Sequence, residues 1–162
     1  MKLVFFIFSF IFIIGCKVYI ENSKDCKGYP KTLSKALKKP EKAKYVSVGD
    51  YFDSLFPSVN LAKLNCLECL YVIGPNSKYS FKNSPLGKPT ELKIDSLIIR
   101  KLKSLKHLEF AYINVINYSG LSYLKNLELL SLNIVFMDTP PRELLDLPKL
   151  EVLSLRCNKI KH

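Results

Sequence analysis

The chain has 162 residues, with 25 Lys and Arg against 14 Asp and Glu, a formal charge of +11 and 48% hydrophobic residues. That is enough apolar chain for one domain with a real core. A basic balance invites nucleic acid, but no recognised nucleic-acid motif accompanies it, and there is no glycine-rich phosphate loop, metal-ligand cluster or nucleophile elbow either.

MKLVFFIFSFIFIIGC opens the chain with one lysine, an almost unbroken apolar run from Leu3 to Ile14, a small residue and a cysteine. The run is shorter than the about 20 residues a membrane span needs and suits the apolar region of a signal peptide. An ordinary signal peptide or a short uncleaved anchor would also fit the run alone. Ile13-Ile14-Gly15-Cys16 looks like a bacterial lipobox. That resemblance implies a signal peptide over 1–15, cleavage after Gly15 and a lipid on Cys16, which makes the chain an exported lipoprotein of the bacterial cell envelope. The mature charge would then be +10, the +11 less Lys2.

Residues 16–30 form the expected lipidated basic tether, and the wider stretch 17–44 carries nine lysines against Glu21, Asp25 and Glu41. Beside a lipidated Cys16 these lysines would lie against anionic headgroups or serve as a solvated tether. An exported chain rarely meets nucleic acid, so that partner is excluded. Thr32 then reads as an N-cap before Leu33, Ala36 and Leu37, a short apolar stripe ending at Pro40.

From there the chain repeats. LPKLEVLSL (147–155) lines up without a gap with LKNLELLSL (124–132), and LKHLEFAYI (105–113) and LNCLECLYV (64–72) follow the same frame. LGKPTELKI (86–94) and PEKAKYVSV (40–48) are weaker copies. A helix does not explain the spacing, because each three-residue step falls about 60° short of a turn. The paired inward positions are Val46/Val48, Leu70/Val72, Leu92/Ile94, Ala111/Ile113, Leu130/Leu132 and Leu153/Leu155, at intervals of 24, 22, 19, 19 and 23 residues. The last copy continues as L-x-x-L-x-L-x-x-N-x-L through Asn158. One such unit cannot bury its apolar face alone, and stacked units can.

The chain resembles the leucine-rich repeat family over 31–162. The resemblance implies an α/β solenoid of about six repeats, with parallel strands on the concave face and a short N-terminal capping helix. The asparagine that the family places at the inward turn is here Tyr51, Pro75, Leu97, Ile116, Val135 and only finally Asn158. The middle turns must therefore satisfy their backbone groups in another way. GPNSKYSFKNSPLGKP (74–89) reads as a longer loop. No capping helix follows the last strand, so the end at Lys159, Lys161 and His162 is either solvated or an edge that pairs with another molecule.

Cys66 and Cys69 form C-L-E-C, which leaves three readings open: structural or surface thiols, a disulfide involving Cys26, or metal or redox chemistry. Cys157 is about 19 Å from Cys69 at four strand spacings of about 4.8 Å, too far for a bond. His107 is placed on a repeat turn, and Glu68, Glu109, Glu128 and Glu151 at one repeated solvated position. No acid–base pair or cofactor site emerges, so the expectation is a non-enzyme without cofactor or metal.

Strand alternation then sends three columns outward: Ser47, Tyr71, Lys93, Tyr112, Ser131, Ser154; Gly49, Ile73, Asp95, Asn114, Asn133, Arg156; and Tyr45, Cys69, Glu91, Phe110, Leu129, Val152. From these the expected partner-binding residues are Tyr45, Ser47, Tyr71, Glu91, Lys93, Asp95, Phe110, Tyr112, Asn114, Ser131, Asn133, Ser154 and Arg156. Tyr71, Phe110 and Tyr112 offer aromatic anchors, and Glu91, Lys93, Asp95 and Arg156 charges for specificity. The expected function is a membrane-anchored recognition module that binds a protein or peptide on its concave face. An assembly component pairing as a homo-oligomer through its C-terminal edge is the alternative, and a thiol enzyme using Cys66 and Cys69 a weaker one.

Overall fold

Leu64 and Leu67, Leu102 and Leu105, Leu124 and Leu127, and Leu147 and Leu150 recur three apart and are all buried. Each pair leads within a few residues into a short strand. The computed structural model describes residues 4–5, 31–48, 61–74, 91–93, 96–133 and 137–155.

The strands are β1 (Val4–Phe5), β2 (Lys31–Thr32), β3 (Tyr45–Val48), β4 (Cys69–Ile73), β5 (Glu91–Lys93), β6 (His107–Ala111), β7 (Asn114–Asn117), β8 (Leu129–Asn133) and β9 (Val152–Ser154). Two one-turn helices, α1 (Leu33–Ala36) and α2 (Ser96–Ile99), and 3₁₀ turns at Pro40–Lys42, Leu61–Lys63, Ser119–Tyr123 and Arg142–Asp146 link them. Seven strands form one sheet in the order β1-β9-β8-β6-β4-β3-β2, all paired in parallel. Parallel neighbours need a crossover. Here short helical segments supply it, and α2, Ser119–Tyr123 and Arg142–Asp146 stack on one another behind the sheet.

The core lies between sheet and crossovers. Val46 pairs with Leu70, Leu70 with Leu108, Leu108 with Leu130 and Leu130 with Leu153, so one apolar row crosses five strands. Val48, Val72, Phe110 and Leu132 form the next row, all buried. The N-terminal expectation fares well: Leu33 and Ala36 are buried in α1, which packs on β2 and β3, and Thr32 stands at the N-cap. Its hydroxyl lies 3.3 Å from Ser34 Oγ and makes no side-chain cap bond.

Two expected repeat units are corrected. The fourth lies three residues earlier, as LKSLKHLEF (102–110), and its inward pair is Leu108/Phe110, not Ala111/Ile113. The frame of 105–113 would have turned Phe110 outward. Burying a phenyl side chain contributes roughly 1.5–3 kcal/mol, and Phe110 is only 1% exposed. The third assigned unit, LGKPTELKI, supplies no strand to this sheet. Its β5 pairs with β7 in a separate two-stranded parallel sheet, which stretches the interval from Leu70 to Leu108 to 38 residues.

The turns without asparagine use backbone instead. Gly74 N–H donates to the Ala111 carbonyl at 2.8 Å, and Tyr112 N–H to the Asn133 carbonyl at 3.2 Å. Leu97 and Ile116 lie on α2 and β7 rather than at inward turns. Tyr51, Pro75, Val135 and Asn158 are outside the described residues, as is most of the 74–89 loop. Tyr112 itself has a left-handed φ of 58°, and its carbonyl passes so close to Gly74 that a Cβ there would collide with it.

Two outcomes are expected. Gly74→Ala must push the Tyr112 backbone aside and should lower unfolding free energy by about 1–3 kcal/mol in urea. Tyr118 presents the opposite case, since its buried hydroxyl has no partner among the described residues and burial pushes its pKa up to about 12. Tyr118→Phe should be neutral or stabilising by up to about 1 kcal/mol. The folded pKa exceeds the unfolded one, so the phenol's share of stability is intact below the unfolded value of 10 and is lost as pH rises toward 12. Wild type should therefore weaken relative to Tyr118→Phe as pH rises from about 10 to about 12.

Candidate functional site

The sheet has a second face, opposite the core, and the observed register gives its columns. Tyr45, Cys69, His107, Leu129 and Val152 lie in one row, and Ser47, Tyr71, Glu109, Ser131 and Ser154 in the next. Ile73, Ala111 and Asn133 form the third. The middle strands of this face are buried: Cys69, His107, Glu109, Ala111, Ser131 and Asn133 all expose less than a tenth of their surface. Tyr45, Ser47, Tyr71, Ile73, Leu129 and Ser154 are half-buried, and Val152 on β9 is 45% exposed.

A polar network ties the C-terminal side of this face together. Asn133 Nδ2 donates to Ser131 Oγ at 2.7 Å, and Ser154 Oγ donates to Asn133 Oδ1 at 3.1 Å. Asn133 thus uses both ends of its amide to bridge β8 and β9, as a buried amide must to offset its desolvation. At the opposite margin, a charge row precedes the strands. Lys44 Nζ meets Glu68 Oε1 at 2.7 Å and Lys106 Nζ meets Glu128 Oε1 at 3.7 Å. The hydrogen bond to Glu68 and its negative charge hold Lys44 above the ordinary lysine pKa.

Of the expected binding residues, Tyr45, Ser47, Tyr71, Ser131, Asn133 and Ser154 do share this face. Glu91, Lys93 and Asn114 do not, because β5 pairs with β7: Glu91 lies opposite Asn114, and Lys93 opposite Asn117. Phe110 belongs to the core, and Tyr112 to the turn after β6, where burial raises its phenol pKa. Asp95 and Arg156 lie outside the described residues, as do Gly49, Cys16, Cys26 and Cys157.

The three-residue correction also brings in two residues absent from that set. His107 leaves the turn to become the first residue of β6, opposite Cys69, and Glu109 leaves the solvated glutamate row for the centre of the face, opposite Tyr71. Lys106 takes the row position instead, as its pairing with Glu128 shows. The signal was present, since LKSLKHLEF aligns with LKNLELLSL without a gap. Cys69 is disulfide-bonded while Cys66 is a free, half-buried thiol, so C-L-E-C neither closes on itself nor offers two thiolates to a metal.

No family model matches the chain, and no curated protein matches it. Among solved structures it is similar to an LRR, or leucine-rich repeat, protein of Leptospira interrogans. The identity is 22% and the TM-score 0.51, over 82% of this chain and 36% of that one. The fold is leucine-rich-repeat-like. This chain spans little more than a third of that protein's length, so the likeness bears on the parallel sheet and its few helices rather than on any activity.

Proposed function

We propose that the protein is a membrane-anchored, non-catalytic recognition module whose strands stack as a solenoid and whose concave sheet face binds a protein or peptide. The observation that carries this reading is the composition of the accessible part of the face. Tyr45, Tyr71, Ile73, Leu129 and Val152 present aromatic and aliphatic surface there, beside the Ser131–Asn133–Ser154 network. Rigid aromatic side chains beside satisfied polar groups are the makings of an interface centre. The leucine-rich-repeat-like fold supports it by analogy at the level of fold.

A thiol enzyme is disfavoured, because the nucleophile that would stand beside His107 is tied up in the Cys69 disulfide. That disulfide also suits an exported chain, since such bonds persist in oxidising compartments. We place the protein on this ground, and on the lipobox-like Ile13–Cys16, in the bacterial cell envelope. Residues 1–15 are the signal peptide, Cys16 carries lipid, the lysines of 17–44 lie against headgroups, and residues from 31 onward make up the recognition domain. Among the described residues no helix is long and apolar enough to cross a membrane.

One observation favours a second reading, assembly through the C-terminal edge. The outer edge of β9 takes Val4–Phe5 as an added parallel strand. In a chain cleaved after Gly15 that strand is gone, and the edge is open to a strand from a second copy.

Replacing Tyr45, Tyr71 and Val152 with alanine should reduce partner capture from native membrane extracts by about tenfold or more; unchanged capture would sink the concave-face reading. Mass measurement of the membrane-extracted protein covers the remaining claims. The denatured mass should be that of a chain starting at Cys16 plus acyl groups, and an unmodified full chain would rule out the anchor. The native mass should stay monomeric under the first reading and rise with concentration under the second.

A further inference from the structure

Away from the sheet face, where α2 and the 3₁₀ turn Ser119–Tyr123 end, lies a cleft of about 520 Å³. It is lined by Arg100, Lys101, Lys103, Tyr123, Lys125 and Asn126. Among the described residues its wall holds four cations and no carboxylate. Among the described residues the ion pairs Lys44–Glu68 and Lys106–Glu128 leave all four untouched. Glu68 and Glu128 thus go to the strand margin, and among the described residues no carboxylate pairs with this edge.

The cleft is also braced. Lys125 Nζ donates to the Asp146 carbonyl at 3.1 Å, which anchors that ammonium to the next crossover. Asn126 Nδ2 donates to the Lys103 carbonyl at 2.8 Å, and Asn126 Oδ1 accepts from Lys149 Nζ at 2.7 Å. One asparagine therefore ties three successive crossovers together and brings a fifth cation beside the rim. Four like charges lining one cleft, with no counter-charge among the described residues, repel one another, and a bound anion relieves that repulsion.

The mixture of donors narrows the anion. Arg100 offers a planar fork that matches two oxygens of a phosphate, while lysines act as mobile point charges around it. The volume lies within the range of small-molecule sites, about 300–1,000 Å³, and exceeds what a bare inorganic ion fills. Tyr123, 50% exposed, adds an apolar wall with a polar tip for the organic part.

We propose that this cleft is a binding site for a phosphate ester, either a free small molecule or the headgroup of an anionic phospholipid. It is independent of the sheet-face reading, since no residue is shared. The test titrates the full-length chain with glycerol 3-phosphate, and separately with phosphatidylglycerol vesicles against phosphatidylcholine vesicles. The double variant Lys103→Gln/Lys125→Gln should weaken binding about tenfold or more. Lys106→Gln/Arg142→Gln, which removes the same charge from exposed positions outside both the cleft and the basic 17–44 stretch, should change it by less than about twofold. Saturable binding of the soluble ester identifies a free ligand, and binding confined to the anionic vesicles identifies a headgroup. Absence of binding to either probe overturns the proposal. So does an equal loss in both double variants, which would mean that net charge alone attracts the anion. Lys103→Gln alone serves as the variant should loss of the Lys125–Asp146 tie lower the melting temperature, because among the described residues the Lys103 side chain ties no neighbouring crossover.

Discussion

One backbone contact recurs at the start of β4, β6, β8 and β9 in the main sheet. The Lys44 carbonyl accepts two N–H groups of the next unit, from Glu68 and Cys69, both at 2.9 Å. The Glu68 carbonyl takes those of Lys106 and His107 at 2.8 and 3.0 Å, and the Lys106 carbonyl those of Glu128 and Leu129 at the same distances. The Glu128 carbonyl takes those of Glu151 and Val152, again at 2.8 and 3.0 Å. Each unit is hung on the preceding one by a single oxygen shared between two donors. Losing that oxygen would strand two backbone donors at once.

Because the ladder is made of backbone, it is indifferent to the side chain at its rungs. That position can hold Lys, Glu, Lys, Glu and Glu in succession, and neighbours of opposite sign pair as Lys44–Glu68 and Lys106–Glu128 do. The ladder does decide register, and register decides everything facing outward. A slip of one residue would send the core leucines to the opposite face. With the rungs aligned, Leu70, Leu108 and Leu130 stack in one row, and Tyr71, Glu109 and Ser131 stack beside them on the other face.

The same economy separates the two candidate surfaces. Strand residues form a face of aromatic, aliphatic and amide groups, while the crossover ends gather lysine and arginine around Tyr123. Between them runs the row of strand-start ion pairs. The β5–β7 pair sits outside this scheme, added where the chain is longest between consecutive strands of the main sheet, and it removes Glu91, Lys93 and Asn114 from the shared face.

Much of this was legible from residues alone. Strands at 45–48, 69–73, 129–133 and 152–154 follow from the spacing of Leu and Val, and so do the one-turn helix after Thr32 and the buried pairs Val46/Val48, Leu70/Val72 and Leu130/Leu132. The periodicity sufficed because each of those stretches offers one leucine frame. Residues 102–113 offer two, since Leu102, Leu105 and Leu108 are evenly spaced and all buried. Only pairing with β4 and β8 chooses between them, by aligning Leu108 with Leu70 and Leu130 and so placing Phe110 in the core and Glu109 on the opposite face. LGKPTELKI likewise looked like a repeat until β7 claimed its strand, a contact some twenty residues ahead in the chain. Local pattern determined which side chains need burial. The choice among equivalent ways of burying them, and with it the composition of the exposed surfaces, rested on hydrogen bonds between units that are distant in sequence.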